Sequence, residues 1–411
     1  MVDHTAQLPS RRMLVMMPSW VGDIVMATPT LRALRQSHPE AHITALLRRP
    51  LKPLLVGCQW VDRIATVRTR PARPLRARRS TARRRGAADG NVHDTASPSS
   101  GRGRNRQRAR RRDLARRAGM VTLARRLRLG RFDTAVLLTN SFRTALLCRM
   151  AAIPRRVGYD RDGRGFLLTD RLLPRRSAGH FVPVSSRDYY LAIARYLGAI
   201  DPDPTMRLFT TPQDDALAAR RLEAAGIGPD RRLVVITPGA NYGDAKMWDP
   251  QRFAAVADRC VRKLGAAVAV CGAPREQAII ESVVRNCREP AVNLLAAGVE
   301  LKLLKSVIRR ASVVVTNDTG PRHVAIAVGT PVVTIFGPTD PAWTEVGFTD
   351  ERQVMVEVFC GPCQKKRCPL DHRCMTQVTA DMVFARVVEI TDGSAGAPAP
   401  APAVAVTVDQ T

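Results

Sequence analysis

The chain has 411 residues, 45% of them apolar, which is long for one compact core and sufficient for two of ordinary size. No apolar run approaches the roughly 20 residues of a membrane-spanning helix, and the start of the chain lacks the long apolar stretch and cleavage site of a secretory signal, so a soluble cytoplasmic protein is expected. The formal charge of +29 invites a nucleic-acid reading, but 22 arginines against three acids between Arg68 and Arg131 supply +19 of it, so the basicity belongs to one segment.

In chain order, Met13–Met17 reads as a buried strand, followed by a loop with Gly22, a helical stretch to Gln36 and a second strand at His42–Leu47. Strand, loop, helix and strand is the α/β order with a parallel sheet. From about Arg70 to Arg112 the sequence is Arg, Ala, Ser, Gly and Pro with almost no large apolar residues. Burial there cannot offset the entropy of ordering, so residues 70–112 are expected to be a disordered insertion. Helical periodicity returns near Leu114, and Ala135–Thr139 gives another strand. The proline-rich residues 201–212 read as a linker between an N-terminal domain, 1–200, and a C-terminal one, 213–391. Leu233–Thr237, Ala267–Cys271, Val313–Thr316 and Val332–Phe336 then read as strands, with helices beginning near Pro250, Pro274, Leu301 and Pro321. Proline costs little in a first helical turn. Thr379 suits the N-cap of a last helix with Asp381 in its first turn, and residues 392–411, rich in Ala and Pro, read as a disordered tail. The expected fold is α/β: two doubly wound, Rossmann-like parallel-sheet domains facing a central cleft.

Ligands in such sheets sit beyond the carboxyl ends of the strands, and three loops there carry unusual residues. In Pro18-Ser19-Trp20-Val21-Gly22-Asp23, the aspartate stands at a helix start, either as a favourable first-turn charge or as a base presented to the cleft. The loop from Pro238 to Trp248 has Gly239 and Gly243, which let backbone approach a ligand, and Lys246, whose charge suits a diphosphate. In Thr316-Asn317-Asp318-Thr319-Gly320-Pro321-Arg322-His323, Thr319 and Gly320 place a hydroxyl and free N–H groups at a helix N-terminus, a natural anion site. His323 follows one turn later, and Gly337-Pro338-Thr339-Asp340 closes the next strand beside it.

The strings PSWVGDIVMATPTLRAL, TNSFRTALL, PGANYGDAKMW, CGAPREQ and VTNDTGPRHVAIAVGTPVVTIFGPTDP together resemble the lipopolysaccharide heptosyltransferases of glycosyltransferase family 9, type II more than type I. The resemblance spans most of residues 12–345. It implies the GT-B arrangement, with acceptor on the N-terminal domain and ADP-heptose on the C-terminal one. Asp23 then matches the catalytic base, Lys246 the lysine that neutralises the donor diphosphate, and Glu276 the acid that binds the adenosine ribose. Gly239, Asp318, Thr319, Gly320 and His323 match donor-binding positions, and Ser19, Trp20, Ser141 and Arg143 fall on the acceptor side. The implied reaction is inverting transfer of the second heptose from ADP-L-glycero-D-manno-heptose to a Kdo- and heptose-containing lipid A acceptor, with no cofactor required. A type I enzyme or a family 9 transferase with another core acceptor is the nearest alternative. A regulatory or nucleic-acid-binding protein built on the arginines is a more distant one, disfavoured by the joint presence of Asp23, Lys246 and Asp318.

Two features lie outside that pattern. The arginine insertion reads as an inert expansion, as a peripheral tether to anionic lipid of the inner leaflet, or as a nucleic-acid contact, the last disfavoured by its lack of aromatic residues. Cys360, Cys363, Cys368 and Cys374 lie within 15 residues, with His372 among them. A structural zinc, free thiols and a redox pair are the three readings.

Overall fold

The computed structural model describes residues 10–67 and 119–392. The arginine-rich insertion expected at 70–112, and all but the first residue of the expected tail, lie outside the described residues.

Six parallel strands form a first sheet: β1 (Arg12–Met16), β2 (His42–Arg48), β3 (Arg63–Val67), β4 (Thr134–Leu137), β5 (Arg155–Tyr159) and β6 (Asp170–Leu172), in the order β3-β2-β1-β4-β5-β6. A short antiparallel hairpin follows, β7 (Arg176–Ser177) with β8 (His180–Phe181). The second sheet has β9 (Leu233–Thr237), β10 (Ala267–Val270), β11 (Ala291–Asn293), β12 (Val313–Asn317), β13 (Val332–Ile335) and β14 (Glu351–Val354). Its order, β11-β10-β9-β12-β13-β14, repeats that of the first. In each sheet the strand order reverses at the first strand, so the crevices open beyond the carboxyl ends of β1 and β4 and of β9 and β12. Residues 201–211 carry no helix or strand and join the two sheets.

The central strands are buried on both faces; every residue of β9 and β12 is buried, and each reads in the sequence as one apolar run. Besides the hairpin, five strands of the two large sheets, β3, β5, β6, β11 and β14, fall outside the expectation from sequence. They lie at or near sheet edges, and β3, β11 and β14 are mostly half-exposed, which dilutes the apolar signal. The single helical stretch expected up to Gln36 is two helices, Val21–Met26 and Thr28–Ser37, divided at Ala27 just before Pro29.

The two halves meet through the helices Val21–Met26 and Gly320–Val328. Only glycine fits on either side of this contact. A Cβ on Gly22 would come 2.7 Å from His323 Cδ2, and one on Gly320 would come 2.7 Å from Val21 Cβ. The floor of the cleft is therefore two helix starts pressed together.

Candidate active site between the two sheets

The wall contributed by the second sheet is a closed polar network. Lys246 Nζ donates to Asp318 twice, to Oδ2 at 2.5 Å and to the main-chain oxygen at 3.0 Å. Thr339 Oγ1 donates to the same Oδ2 at 3.0 Å. Arg322, fully buried, lies 3.3 Å from Asp318 Oδ1 and forks onto Glu351 with contacts of 2.6 and 2.8 Å. Burial alone would raise the Asp318 carboxyl, but the charges of Lys246 and Arg322 outweigh it and hold the group down at about 2. The row of alternating charge is bidentate where it is deepest, the geometry that makes a buried pair stable.

The Asp318 side chain is buried and held by Lys246, Thr339 and Arg322, so within the donor loop it positions Lys246. An ammonium has three donors, and with two spent on Asp318 one remains for the cleft. The helix that starts beside it, Gly320–Val328, has Thr319 at its N-cap and no side-chain cap, which leaves its first N–H groups for an anion. Gly239 has a more specific reason than backbone freedom. A Cβ there would lie 2.3 Å from the carboxyl carbon of Glu276, whose Oε2 also accepts from Ala273 N at 2.8 Å. Gly239 and Glu276 thus pack on each other at the ends of β9 and β10. Trp248, which closes the same motif, is a core anchor, donating its ring N–H to Val378 O at 2.9 Å.

The opposite wall is built from the ends of β1 and β4. Asp23 sits in the first turn of Val21–Met26, and among the described residues no donor or cation is paired with its carboxylate. Burial pushes it up to about 6. Tyr190 lies close by, its hydroxyl raised by burial first and by the charge of Asp23 second. Ser19 and Trp20 are exposed at the end of β1, Trp20 by 51%. Ser141 and Arg143 are exposed at the end of β4, where Ser141 is the N-cap of the helix Phe142–Met150. His323, expected at the donor, is buried against Gly22 and so joins the two walls. Burial and then the charge of Arg322 bring it down to about 3, so it is neutral at any working pH, with Nδ1 unpartnered among the described residues.

The four late cysteines and His372 line one cavity of about 80 Å³. Among the described residues, however, no three His, Cys, Asp or Glu side chains are placed to share an ion, so the expected zinc set is not assembled in this arrangement. The segment also backs the Lys246 loop. Ala245 N donates to Lys366 O at 3.2 Å, Tyr242 Oη to Gln364 O at 2.8 Å, and His372 Nε2 lies 2.7 Å from Ala245 O. A Cβ on Gly243 would come 2.3 Å from the Lys366 oxygen.

A carboxylate raised by burial at the end of one sheet and a lysine beside an uncapped helix start at the end of the other are thus brought to the same side of the molecule. The sequence profile of glycosyltransferase family 9 (heptosyltransferase) matches residues 120–373, more than half of the chain. The chain belongs to glycosyltransferase family 9. This transferase is 27% identical over 403 residues to lipooligosaccharide heptosyltransferase 2 of Haemophilus influenzae, covering 92% of this chain and 98% of the relative. Among solved structures, the ADP-heptose lipopolysaccharide heptosyltransferase II of E. coli superposes with a TM-score of 0.71 at 21% identity, over 93% of this chain and 99% of that one. An E. coli heptosyltransferase solved with ADP-2-deoxy-2-fluoro heptose has a TM-score of 0.59 at 16% identity, over 92% and 99%. The fold of the transferase is therefore GT-B, with both parallel-sheet domains present. Among the described residues no helix is long and apolar enough to cross a membrane.

Proposed function

We propose that the transferase moves heptose from ADP-L-glycero-D-manno-heptose onto the inner core of lipopolysaccharide, adding the second heptose with inversion at the anomeric carbon. The observation that carries this reading is the position of Asp23: a carboxylate raised to about 6, unpaired among the described residues, directly after the Gly22 that packs on the donor-side helix. Asp23 takes the proton of the acceptor hydroxyl as that oxygen bonds to the anomeric carbon. The bond from that carbon to the diphosphate oxygen breaks on the opposite face, and ADP leaves with the electron pair. The remaining N–H of Lys246 and the uncapped helix start at Gly320 answer the charge that develops on the diphosphate, each worth a few kcal/mol in a closed cleft (on the order of 3). The step is written with no metal or cofactor. Gly239 and Glu276 hold the nucleoside, and Ser19, Trp20, Ser141 and Arg143 face the acceptor. Because that acceptor is built on lipid A, the enzyme works from the cytoplasm on the inner leaflet.

The assay is direct: ADP-heptose with a lipopolysaccharide truncated to one core heptose should release ADP and give a product heavier by one heptose. Transfer onto an acceptor that lacks any heptose, at an equal or greater rate, would assign it to the first addition instead.

A further inference from the structure

The end of the first sheet that carries Asp23 also carries a basic hairpin that this mechanism does not use. Between Arg171 and Arg187 the chain has four arginines and no acid. In the hairpin β7–β8, Arg176 pairs with Phe181 and Ser177 with His180. The turn runs through Ala178 at φ 48° and Gly179 at φ 80°. Two left-handed residues make the turn type that matches strand twist, but an alanine there is strained, so the tip is held against its own preference.

What the hairpin holds in place is Phe181, between two cations. The guanidinium of Arg161, from the loop after β5, lies 4.0 Å from the ring centre, and that of Arg176 lies 4.5 Å from it. One ring serves two like charges poorly, because their repulsion opposes what each gains from the π-face. Counter-charge is scarce. Arg161 has only Asp162, 4.0 Å away and 64% exposed, and among the described residues Arg176 is ion-paired with nothing. Both guanidiniums are thus anchored on one ring with little counter-charge, so an oxyanion nearby would be answered by the side chain that meets carboxylate and phosphate best.

Its place in the fold assigns the oxyanion to the acceptor. The helix Ser186–Tyr196 follows the hairpin directly; its Tyr189 stacks on Tyr159 at 3.7 Å, at the end of β5, and feels the charge of Arg161. The next residue, Tyr190, feels the charge of Asp23. Hairpin, helix and base therefore share the wall opposite the donor loops. We propose that Arg161 and Arg176, stacked on Phe181, form a subsite for a carboxylate or phosphate on the acceptor's sugar chain, a reading that rests on the glycosyl transfer proposed above.

Steady-state kinetics with acceptor and donor varied in turn tests it. Arg176→Gln and Arg161→Gln should each raise the acceptor KM about tenfold, with the donor KM unchanged and kcat within about threefold. Arg176→Lys should recover part of the loss. Acceptors stripped of phosphate, or with the sugar carboxylate reduced, separate the two sources: the difference between parent and Arg176→Gln should vanish for the one whose oxyanion is bound. The inference is overturned if Arg176→Gln leaves the acceptor KM unchanged, or raises it equally for acceptors with and without either group. Arg176 is exposed on the hairpin, so its substitution does not threaten the core, and equal thermal midpoints confirm that. Failure of the parent enzyme to release ADP with any lipopolysaccharide acceptor would instead strike the transfer reading itself.

Discussion

Lys246 and Asp23 stand on opposite walls of one cleft, and their surroundings differ in kind. Lys246 is bonded twice to Asp318, which is tied to Arg322 and through it to Glu351, so its position is fixed before any ligand arrives. Among the described residues the carboxylate of Asp23 is unpaired, and the Arg161–Phe181–Arg176 group is held by ring contacts, Tyr189 and one exposed aspartate. A small, chemically constant donor suits a preformed cradle. A large acceptor does better against a wall that keeps its bonding capacity free, at the cost of leaving a carboxylate desolvated without compensation. The difference also sets opposite signs for stability: the donor wall holds the fold together, and the acceptor wall strains it.

The largest effect expected is for Asp23→Asn, which should lower turnover at least about a hundredfold while ADP affinity stays level. Because burial raises this carboxyl from 3.8 to about 6, the folded state binds its proton more tightly than the unfolded chain. The associated stability is complete below pH 3.8 and is lost as pH rises to about 6, so Asp23→Asn should melt higher than the parent at pH 7. Parent turnover should climb through pH 6 and then level off. ADP binding, with Asp318 ionised down to about pH 2, should show no such step from that group. A single pH profile common to binding and turnover would erase the contrast between the walls.

Lys246→Ala should behave in the opposite way. It removes a contact to diphosphate and leaves the buried Asp318 dependent on Arg322, so ADP affinity and thermal midpoint should both fall, the latter by about 3 kcal/mol in unfolding free energy. Calorimetry and a melt on one sample check both. A stable Lys246→Ala protein with parental ADP affinity would mean that the network is ornamental. Next in size is Gly239→Ala, whose new methyl meets Glu276. ADP affinity should drop about tenfold with an unchanged acceptor KM, and an equal loss in both would place Glu276 outside the nucleoside pocket. Smallest is Trp20→Ala, on the open wall, where a two- to fivefold rise in acceptor KM is expected without loss of stability. A stability loss there as large as that of Lys246→Ala would show that both walls are built alike.

Much of this was legible in the sequence. Central strands of a parallel sheet are unbroken apolar runs, and Leu233–Thr237 and the helix starts at Pro250 and Leu301 fall where those runs and caps put them. Edge strands such as Glu351–Val354 carry charge and are mostly not buried, so they read as loops. The same strand hides the partner of Arg322, because a contact between residues 29 apart leaves no local pattern. Asp318 was recognisable as part of a cleft loop, but nothing local distinguishes an aspartate that meets a ligand from one that holds a lysine. Tyr190 was missed for a similar reason: one aromatic among several on an amphipathic helix signals core, and only the packing brings it to Asp23.

The segment behind the Lys246 loop has a consequence of its own. Cys360, Cys363 and Cys368 are partly exposed, while Lys366, Gln364 and His372, interleaved with them, hold Ala245 and Tyr242 in place. The donor loop thus takes its shape from a stretch whose chemistry is open to solvent. A reagent that attaches to one of those sulfurs shares its cavity with Ala245, the residue before Lys246, and so pushes on the donor loop. Thiol labelling should therefore weaken ADP binding from a distance, and bound ADP should in turn disfavour a reversible thiol adduct by the same factor at equilibrium.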